Sequence, residues 1–189
     1  MDKDLTTIEG LTEIMREGAE AVQKHFDSPD DDWVPMMTLV PQEGKNVMLA
    51  LDGDWFASEE AKDRLVEKIM IPAVNGVGAK MVATLFSAWS LILPEDVDLE
   101  NLPVPSESDD RQEVVIMTVM DSFKVKCLYA LVERTEDAPP ILGEWKSFEQ
   151  NSFAGRFVGD IQEALRDSSG QTDKEFMELL SEQTIQISE

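Results

Sequence analysis

The stretch VVIMTVMDSFKVKCLYALVER, residues 114–134, contains the two strands on which the fold of this chain depends. Residues 114–120 are almost entirely apolar, which is typical of a central strand covered on both faces. In residues 124–134, apolar side chains recur at every second position from Val125, which also indicates a strand. Asp121 and the serine after it favour a tight turn between the two runs. The stretch is therefore expected to form a hairpin within a sheet.

Upstream of this hairpin, the sequence predicts two helices and three strands. The first helix is expected over 7–26, because apolar residues recur there at intervals of three and four. Thr6 and Glu9 form a capping-box pattern at its start. The other predicted elements are strands at 34–40 and 46–51, a helix that begins after Ser58 and ends near Gly76 and Gly78, and a strand over 80–93 interrupted around Trp89. Pro35 predicts that the first strand lies at a sheet edge, because proline cannot donate to the ladder.

Downstream of the hairpin, Pro139 and Pro140 predict an irregular stretch that reaches Ser152. A helix is expected next, because apolar residues recur at every fourth position from Phe153 to Leu165, and a final short helix is expected over 173–181. The order α-β-β-α-β-β-β-α indicates an α+β fold with a mixed or antiparallel sheet of about five strands. Residues 1–168 are expected to form a single domain, and residues 169–189 a short C-terminal helix with a frayed tail.

The charge of the chain restricts its partners. The 39 acidic and 16 basic residues give a formal net charge of −23, which repels nucleic-acid phosphates and anionic lipids and attracts cationic partners. Direct nucleic-acid binding and membrane attachment are therefore not expected. One cysteine excludes an intramolecular disulfide, and the acidic N-terminal segment lacks the basic start of a signal peptide, so a cytoplasmic location is expected. A simpler interpretation also stays open, in which the carboxylates serve solubility alone.

Several short signatures bear on the family of this chain. They are Ser87-Ala88-Trp89-Ser90, Asp110-Arg111-Gln112-Glu113, Leu142-Gly143-Glu144-Trp145 and Gly155-Arg156-Phe157. On these signatures the chain resembles, over roughly residues 33–165, a family of uncharacterised small bacterial and phage-borne proteins. The resemblance implies an α+β domain, and no activity is attached to that family.

Arg111, Glu113 and Arg156 are the first candidates for a binding site. Arg111 and Glu113 are two residues apart at a strand start, so their side chains are expected on the same face of the sheet. With Arg156 they could form an anion-binding cluster, since guanidinium groups bind carboxylate and phosphate. The alternative is an ion-pair network that closes the long loop 95–111 onto the sheet.

Trp145 is a further candidate, for a protein interface. If its indole is exposed beside Phe148 and Phe153, the three rings would form an apolar patch of the kind that marks interaction sites. The alternative is that Trp145 packs against the core, as most tryptophans do at least in part.

No residue is assigned a catalytic, cofactor-binding or metal-binding role. His25 is the single histidine, and Cys127 lies in a strand with the pattern of a small buried hydrophobe, so nucleophilic catalysis is not expected. Asp52-Gly53-Asp54 offers oxygen ligands for a hard cation, but a turn before a helix explains these residues more simply. No cofactor is therefore expected.

These observations lead to one main hypothesis on function and two alternatives. The main hypothesis is a non-enzymatic protein that binds a protein partner, basic in character, through an acidic surface; a sharper version is an inhibitor that mimics DNA phosphates. The first alternative is a small-ligand binder or enzyme with a cleft around Arg111, Glu113 and Arg156. The second is a structural or assembly subunit.

Overall fold

A computed structural model describes residues 4–91, 108–148 and 157–181 of the chain. The strands are β1 (Met36–Pro41), β2 (Val47–Ala50), β3 (Ala79–Ser90), β4 (Gln112–Asp121), β5 (Val125–Thr135), β6 (Ala138–Leu142) and β7 (Lys146–Ser147). The helices are α1 (Ile8–Gln23), α2 (Glu59–Leu65), α3 (Ile71–Val77), α4 (Val158–Asp167) and α5 (Lys174–Ser181), with a 3₁₀ turn at Gly53–Phe56 and a π-helical turn at Val66–Met70. The predicted α+β class is confirmed.

All strands pair antiparallel in one sheet, in the order β2-β1-β3-β4-β5-β6, with β7 beside β5. The predicted central hairpin is β4 and β5, which pair from Val114–Leu131 to Met120–Val125. Its turn is closed by Asp121, whose Oδ1 accepts hydrogen bonds from the backbone amides of Phe123 and Lys124, both at 2.7 Å. The apolar run in β4 is explained by its central position, because helices cover both of its faces.

The predicted number of about five strands is wrong, because the stretch after β5 forms β6 and β7. The chain turns back at Glu136 and Asp137, and Ala138 pairs with Thr135. Pro139 and Pro140, which predicted irregular structure, lie in β6 at the edge of the sheet. An edge strand tolerates proline, because one side of its backbone has no neighbouring strand to receive a hydrogen bond.

Two further predictions about strands are corrected. Pro35 does not place the first strand at an edge, since β1 begins after it at Met36 and lies between β2 and β3. The carbonyl of Pro35 accepts a hydrogen bond from the amide of Leu51, so the residue contributes its acceptor and needs no donor. The third predicted strand is not interrupted around Trp89, because β3 continues through this residue, which pairs with Glu113 of β4.

Helix α1 covers one face of the sheet. Its buried residues, among them Leu11 and Met15, pack with Ala83 of β3 and Met117 of β4. The helix begins one residue later than predicted and ends at Gln23, and its cap is Thr7, whose Oγ1 accepts from the amide of Gly10 at 3.0 Å. Thr6, the predicted cap, instead donates its hydroxyl to Asp4.

Helices α2, α3 and α4 pack on the opposite face of the sheet, where Leu65, Val74 and Ile161 belong to the same core cluster as Val82 and Met120. Ser58 caps α2 as predicted, accepting from the amide of Ala61 at 3.1 Å. The predicted helix from Phe153 is described only from Val158 onward, and Phe153 lies outside the described residues. Within the described ranges, no helix has both the length and the apolar character required to cross a membrane.

The segment 169–181 returns to the C-terminal end of α3. The amide of Asp173 donates to the carbonyl of Gly76 at 2.7 Å, and the hydroxyl of Thr172 donates to the carbonyl of Val77 at 3.0 Å. The ring of Phe176 lies so close to Gly76 that a Cβ there would come within 2.3 Å of it. This docking explains the glycine at position 76.

Candidate functional site

Acidic residues from three separate segments meet where β3 and β5 end and β4 and β6 begin. This surface, called the acidic end below, carries nine carboxylates and two arginines. Its members are Asp30, Asp31, Asp32, Asp109, Asp110, Arg111, Glu113, Glu133, Arg134, Glu136 and Asp137. Only Asp31 and Glu113 among them are half-buried, so most of these charges face solvent.

Arg134 is the centre of the acidic end. Val114 pairs with Leu131, so Glu113 and Arg134 are diagonal neighbours on one face of the hairpin. Arg134 donates from Nε to both carboxylate oxygens of Glu113, at 3.0 and 2.7 Å, and from Nη2 to Oε1 at 2.7 Å. The Glu113 side chain is 11% exposed, so this forked contact satisfies a carboxylate that is largely removed from water.

The same guanidinium holds the loop between α1 and β1 against the sheet. Its Nη1 donates to the carbonyls of Pro29 at 2.8 Å and Asp31 at 2.9 Å, and its Nη2 lies 3.5 Å from a carboxylate oxygen of Asp32. Hydrogen bonding to Glu113, together with the charges of Glu113 and Asp32, raises the pKa of Arg134 above its ordinary value. Arg134 therefore stays cationic and clamps two acidic segments together.

Asp32 connects this loop to β3 and to the core. Its Oδ1 accepts from the hydroxyl of Ser87 at 2.6 Å and from the amide of Trp33 at 2.7 Å. Trp33 is 2% exposed, and its Nε1 donates to the carbonyl of Ala19 in α1 at 2.9 Å. The acidic loop is thus positioned by a buried indole on one side and by Arg134 on the other.

Trp89 and Arg111 add an aromatic feature to the acidic end. The guanidinium carbon of Arg111 lies 4.5 Å from the centre of the Trp89 ring, which is a cation–π contact. Trp89 is 47% exposed at the end of β3, and it pairs with Glu113. An exposed indole therefore lies among carboxylates on a surface held by the Arg134 clamp.

The predicted cluster of Arg111, Glu113 and Arg156 is only partly described. Arg111 and Glu113 lie at the start of β4 as expected, but Arg134 binds Glu113, and Arg111 lies over Trp89. Arg156 lies outside the described residues. Glu113 belongs to an ion-pair network, but its partner is Arg134, and the segment that this network holds is 29–32. The predicted alternative, a network that closes the loop 95–111 onto the sheet, stays a prediction, because most of that loop lies outside the described residues.

Sequence reasoning missed Arg134. The signal available was a basic residue at the end of an alternating strand, opposite an acidic start in the preceding strand of the same hairpin. Recognising that Arg134 lies next to Glu113 requires the register of β4 and β5.

Trp145 lies in the break between β6 and β7, half-buried against the core on the α1 side of the sheet. Its Nε1 is buried and has no hydrogen-bond partner among the residues that the structure describes. The ring of Phe148 instead contacts the ring of Tyr129, with 4.5 Å between the ring centres. Tyr129 lies on the opposite face of β5 from Leu128, which packs in the same core cluster as Trp145. Trp145 and Phe148 therefore do not form one patch, and Phe153 lies outside the described residues.

The other candidates provide no site. Asp52 accepts from the amide of Asp54 at 3.0 Å, which is the predicted turn geometry. Burial raises the pKa of the Cys127 thiol to about 11, so this sulfur is not a thiolate near neutral pH. Within residues 4–91, 108–148 and 157–181, no three His, Cys, Asp or Glu side chains are grouped closely enough to hold a metal ion.

Replacing Arg134 with methionine is expected to lower the free energy of unfolding by about 2 kcal/mol. The substitution leaves Glu113 without its partner in a largely buried position, and the 31% exposure of the Arg134 side chain keeps the effect below that of a fully buried pair. Urea unfolding followed by circular dichroism measures the change. The matched control is Arg16→Met, which removes more exposed ion pairs with Glu13 and Glu20 and is expected to cost about 0.5 kcal/mol. Equal losses in the two variants would show that the clamp contributes no more than a surface ion pair.

A comparison of the chain with protein-family models, with curated proteins and with solved structures finds no match in any of the three.

Proposed function

We propose that this protein is a non-enzymatic interaction protein that binds a basic protein partner through the acidic end. The observation that carries the proposal is the exposed indole of Trp89, which lies beneath Arg111 and pairs with Glu113 on a surface that carries carboxylates from three chain segments. Tryptophan and arginine are enriched among the residues that dominate binding energy at interfaces. The carboxylates around them supply charge complementarity to a cationic partner.

The Arg134 clamp supports this proposal because it orders the surface before a partner arrives. Loops that are already fixed lose less conformational entropy on binding. Here the loop 29–32 is held by two carbonyl contacts to Arg134 and by the bond between Asp32 and Ser87. A cationic partner therefore meets carboxylates in fixed positions.

Charge also sets the expected rate and salt dependence of binding. A concentrated acidic surface accelerates the approach of a cationic partner, and salt weakens this effect because it screens exposed charges over about 10 Å at 0.1 M. A partner that mainly binds nucleic acid would fit the same surface, and the protein would then act as an inhibitor that occupies a phosphate-binding site.

The test is capture of partners from a lysate of the native host by tagged protein at about 0.05 M and about 0.5 M salt, conditions that differ in charge screening. Three variants are compared with the wild-type chain. They are an acidic-end variant (Asp109→Asn, Asp110→Asn, Glu136→Gln, Asp137→Asn), Trp89→Ala, and a control variant (Glu43→Gln, Glu60→Gln, Glu67→Gln, Glu163→Gln). The acidic-end and control variants remove the same number of exposed carboxylates, so they have the same net charge.

A partner of the acidic end should be captured by the wild-type chain and the control variant at low salt. Capture should fall about tenfold in the acidic-end variant, which corresponds to about 1.4 kcal/mol over four exposed charges. Trp89→Ala should lower capture at both salt concentrations, because its contribution is not screened. The proposal is wrong if the acidic-end and control variants capture the same proteins in the same amounts, or if the wild-type chain captures none.

A further inference from the structure

At the β4–β5 turn, at the opposite end of the sheet, three basic side chains lie near a single carboxylate of the turn, that of Asp121. Phe123 at its tip is 88% exposed. Lys124 and Lys126 extend from the start of β5, and Arg166 reaches the turn from α4. These four residues are called the cationic turn below. In a chain with a formal charge of −23, cations gathered around an exposed aromatic ring are unusual.

The cationic turn is held in a fixed conformation. Asp121 accepts from the amides of Phe123 and Lys124, while the side chains of Arg166 and Gln162 donate to the carbonyls of Ser122 at 3.1 Å and Asp121 at 3.2 Å. The turn therefore presents Phe123 to solvent from an ordered backbone. An exposed ring on an ordered turn is suited to binding, because little entropy is lost when a partner covers it.

The cations of this turn are available to a partner. Lys124, Lys126 and Arg166 form no ion pair with any residue of the described segments. Strand β4 has 10 residues and connects the acidic end to the turn, so the two surfaces are separated by about 30 Å. At 0.1 M salt charges are screened over about 10 Å. A partner at the turn therefore senses the local cations far more than the distant acidic end.

We infer that the cationic turn binds the acidic end of a second copy of this chain. The inference rests on the proposed function of the acidic end. To the basic partner proposed above it adds a second copy of this acidic chain, which would bind through the local cations of its turn. The cations of one copy would meet the carboxylates of the next, and the ring of Phe123 would contact the exposed indole of Trp89. Since the two surfaces lie at opposite ends of the sheet, the turn and the acidic end of one molecule cannot contact each other. Head-to-tail contact follows, and such contacts extend into chains of molecules unless the rotation closes a ring.

A second copy fits the cationic turn better than an extended polyanion does. A nucleic acid or an anionic bilayer would continue past the turn and bring its phosphates against the surrounding acidic surface. Two compact molecules that meet end to end bring mainly these two surfaces together, and charges more than about 10 Å from the contact are screened at 0.1 M salt. The acidic end also offers the two kinds of group that complement the turn, namely carboxylates for its cations and an exposed aromatic ring for Phe123.

The test is sedimentation velocity at about 0.1 M salt. The protein concentration runs from about 10 µM to about 1 mM, so that dissociation constants of weak contacts fall within the range. The turn variant is Phe123→Ala, Lys124→Gln, Lys126→Gln, and its partner is the acidic-end variant defined above. Wild-type protein should sediment faster as concentration rises, whereas each variant alone should remain a monomer. A mixture of the two variants should form a dimer that grows no further, because it combines one intact turn with one intact acidic end.

Circular dichroism and thermal unfolding verify that both variants keep the fold. The inference is overturned if wild-type protein stays a monomer over the whole range, if the turn variant associates as wild type does, or if the mixture does not dimerise. Lysate capture separates this result from the proposed function. If the turn variant still captures a partner through the acidic end while wild-type protein is monomeric, only the second-copy inference fails.

Discussion

Replacing Trp33 with alanine is expected to lower the free energy of unfolding by about 4 kcal/mol. The indole is 2% exposed and packs in the core between α1 and the sheet, where its ring meets Phe26 edge-on at 4.9 Å. Alanine would leave a cavity of nearly the whole ring and remove the donor to the carbonyl of Ala19. Urea unfolding measures the change. It is followed by circular dichroism and not by tryptophan fluorescence, because removing a tryptophan itself alters the fluorescence signal.

The matched control is Trp89→Ala, which removes the same side chain from an exposed position. Its cost should stay below about 1 kcal/mol, because only the contact with Arg111 and part of the ring surface are lost. Similar losses in the two variants would contradict the assignment of Trp33 as the anchor of the acidic loop.

The central hairpin was predictable because its two strands follow different and clear patterns. The apolar run of β4 indicates a strand covered on both faces, and both of its faces are buried under helices. The turn was predictable from Asp121, because an aspartate carboxylate can accept from the amides that follow it. These are local rules, and they needed no knowledge of the rest of the fold.

The wrong predictions about the number and position of the strands were made from proline residues. Pro139 and Pro140 break the pattern of a central strand, but the rule against proline loses its force at an edge, and β6 is an edge strand. The prediction from Pro35 was wrong in the opposite sense: it placed the first strand at an edge, but Pro35 precedes β1 and does not lie within it. In both cases the position of the strand in the sheet decides the outcome, and this position depends on residues distant in sequence.

The candidate site was predictable only in part. Glu113 and Arg111 were selected as residues at a strand start, and both belong to the acidic end. Their partners were not selected, because Arg134 is diagonal to Glu113 only once the hairpin register is known, and the loop 29–32 is about a hundred residues away in sequence. The net charge predicted an acidic surface but not where it would be concentrated.

Replacing Gly78 with alanine is expected to lower the free energy of unfolding by about 3 kcal/mol, through backbone strain and a steric clash. Gly78 ends α3 in the left-handed conformation, with φ 66° and ψ 43°, and a side chain there costs about 1–2 kcal/mol. A Cβ would also come within 2.8 Å of backbone atoms of Gly170 and Gln171. Relieving this clash requires the segment that carries the Thr172 and Asp173 hydrogen bonds to α3 to move away.

The control for Gly78→Ala is Gly44→Ala, in the turn between β1 and β2. Gly44 has a φ of 99°, and a Cβ there meets no atom of the described segments within 4 Å, so this variant carries the strain without the clash. Urea unfolding should show a loss of about 1–2 kcal/mol at Gly44 and a larger loss at Gly78. The difference between the two measures what the close approach of the C-terminal segment contributes to stability. If the two losses are equal, that segment does not hold α3 in place, and its contacts with Gly76 and Val77 add nothing to the stability of the fold.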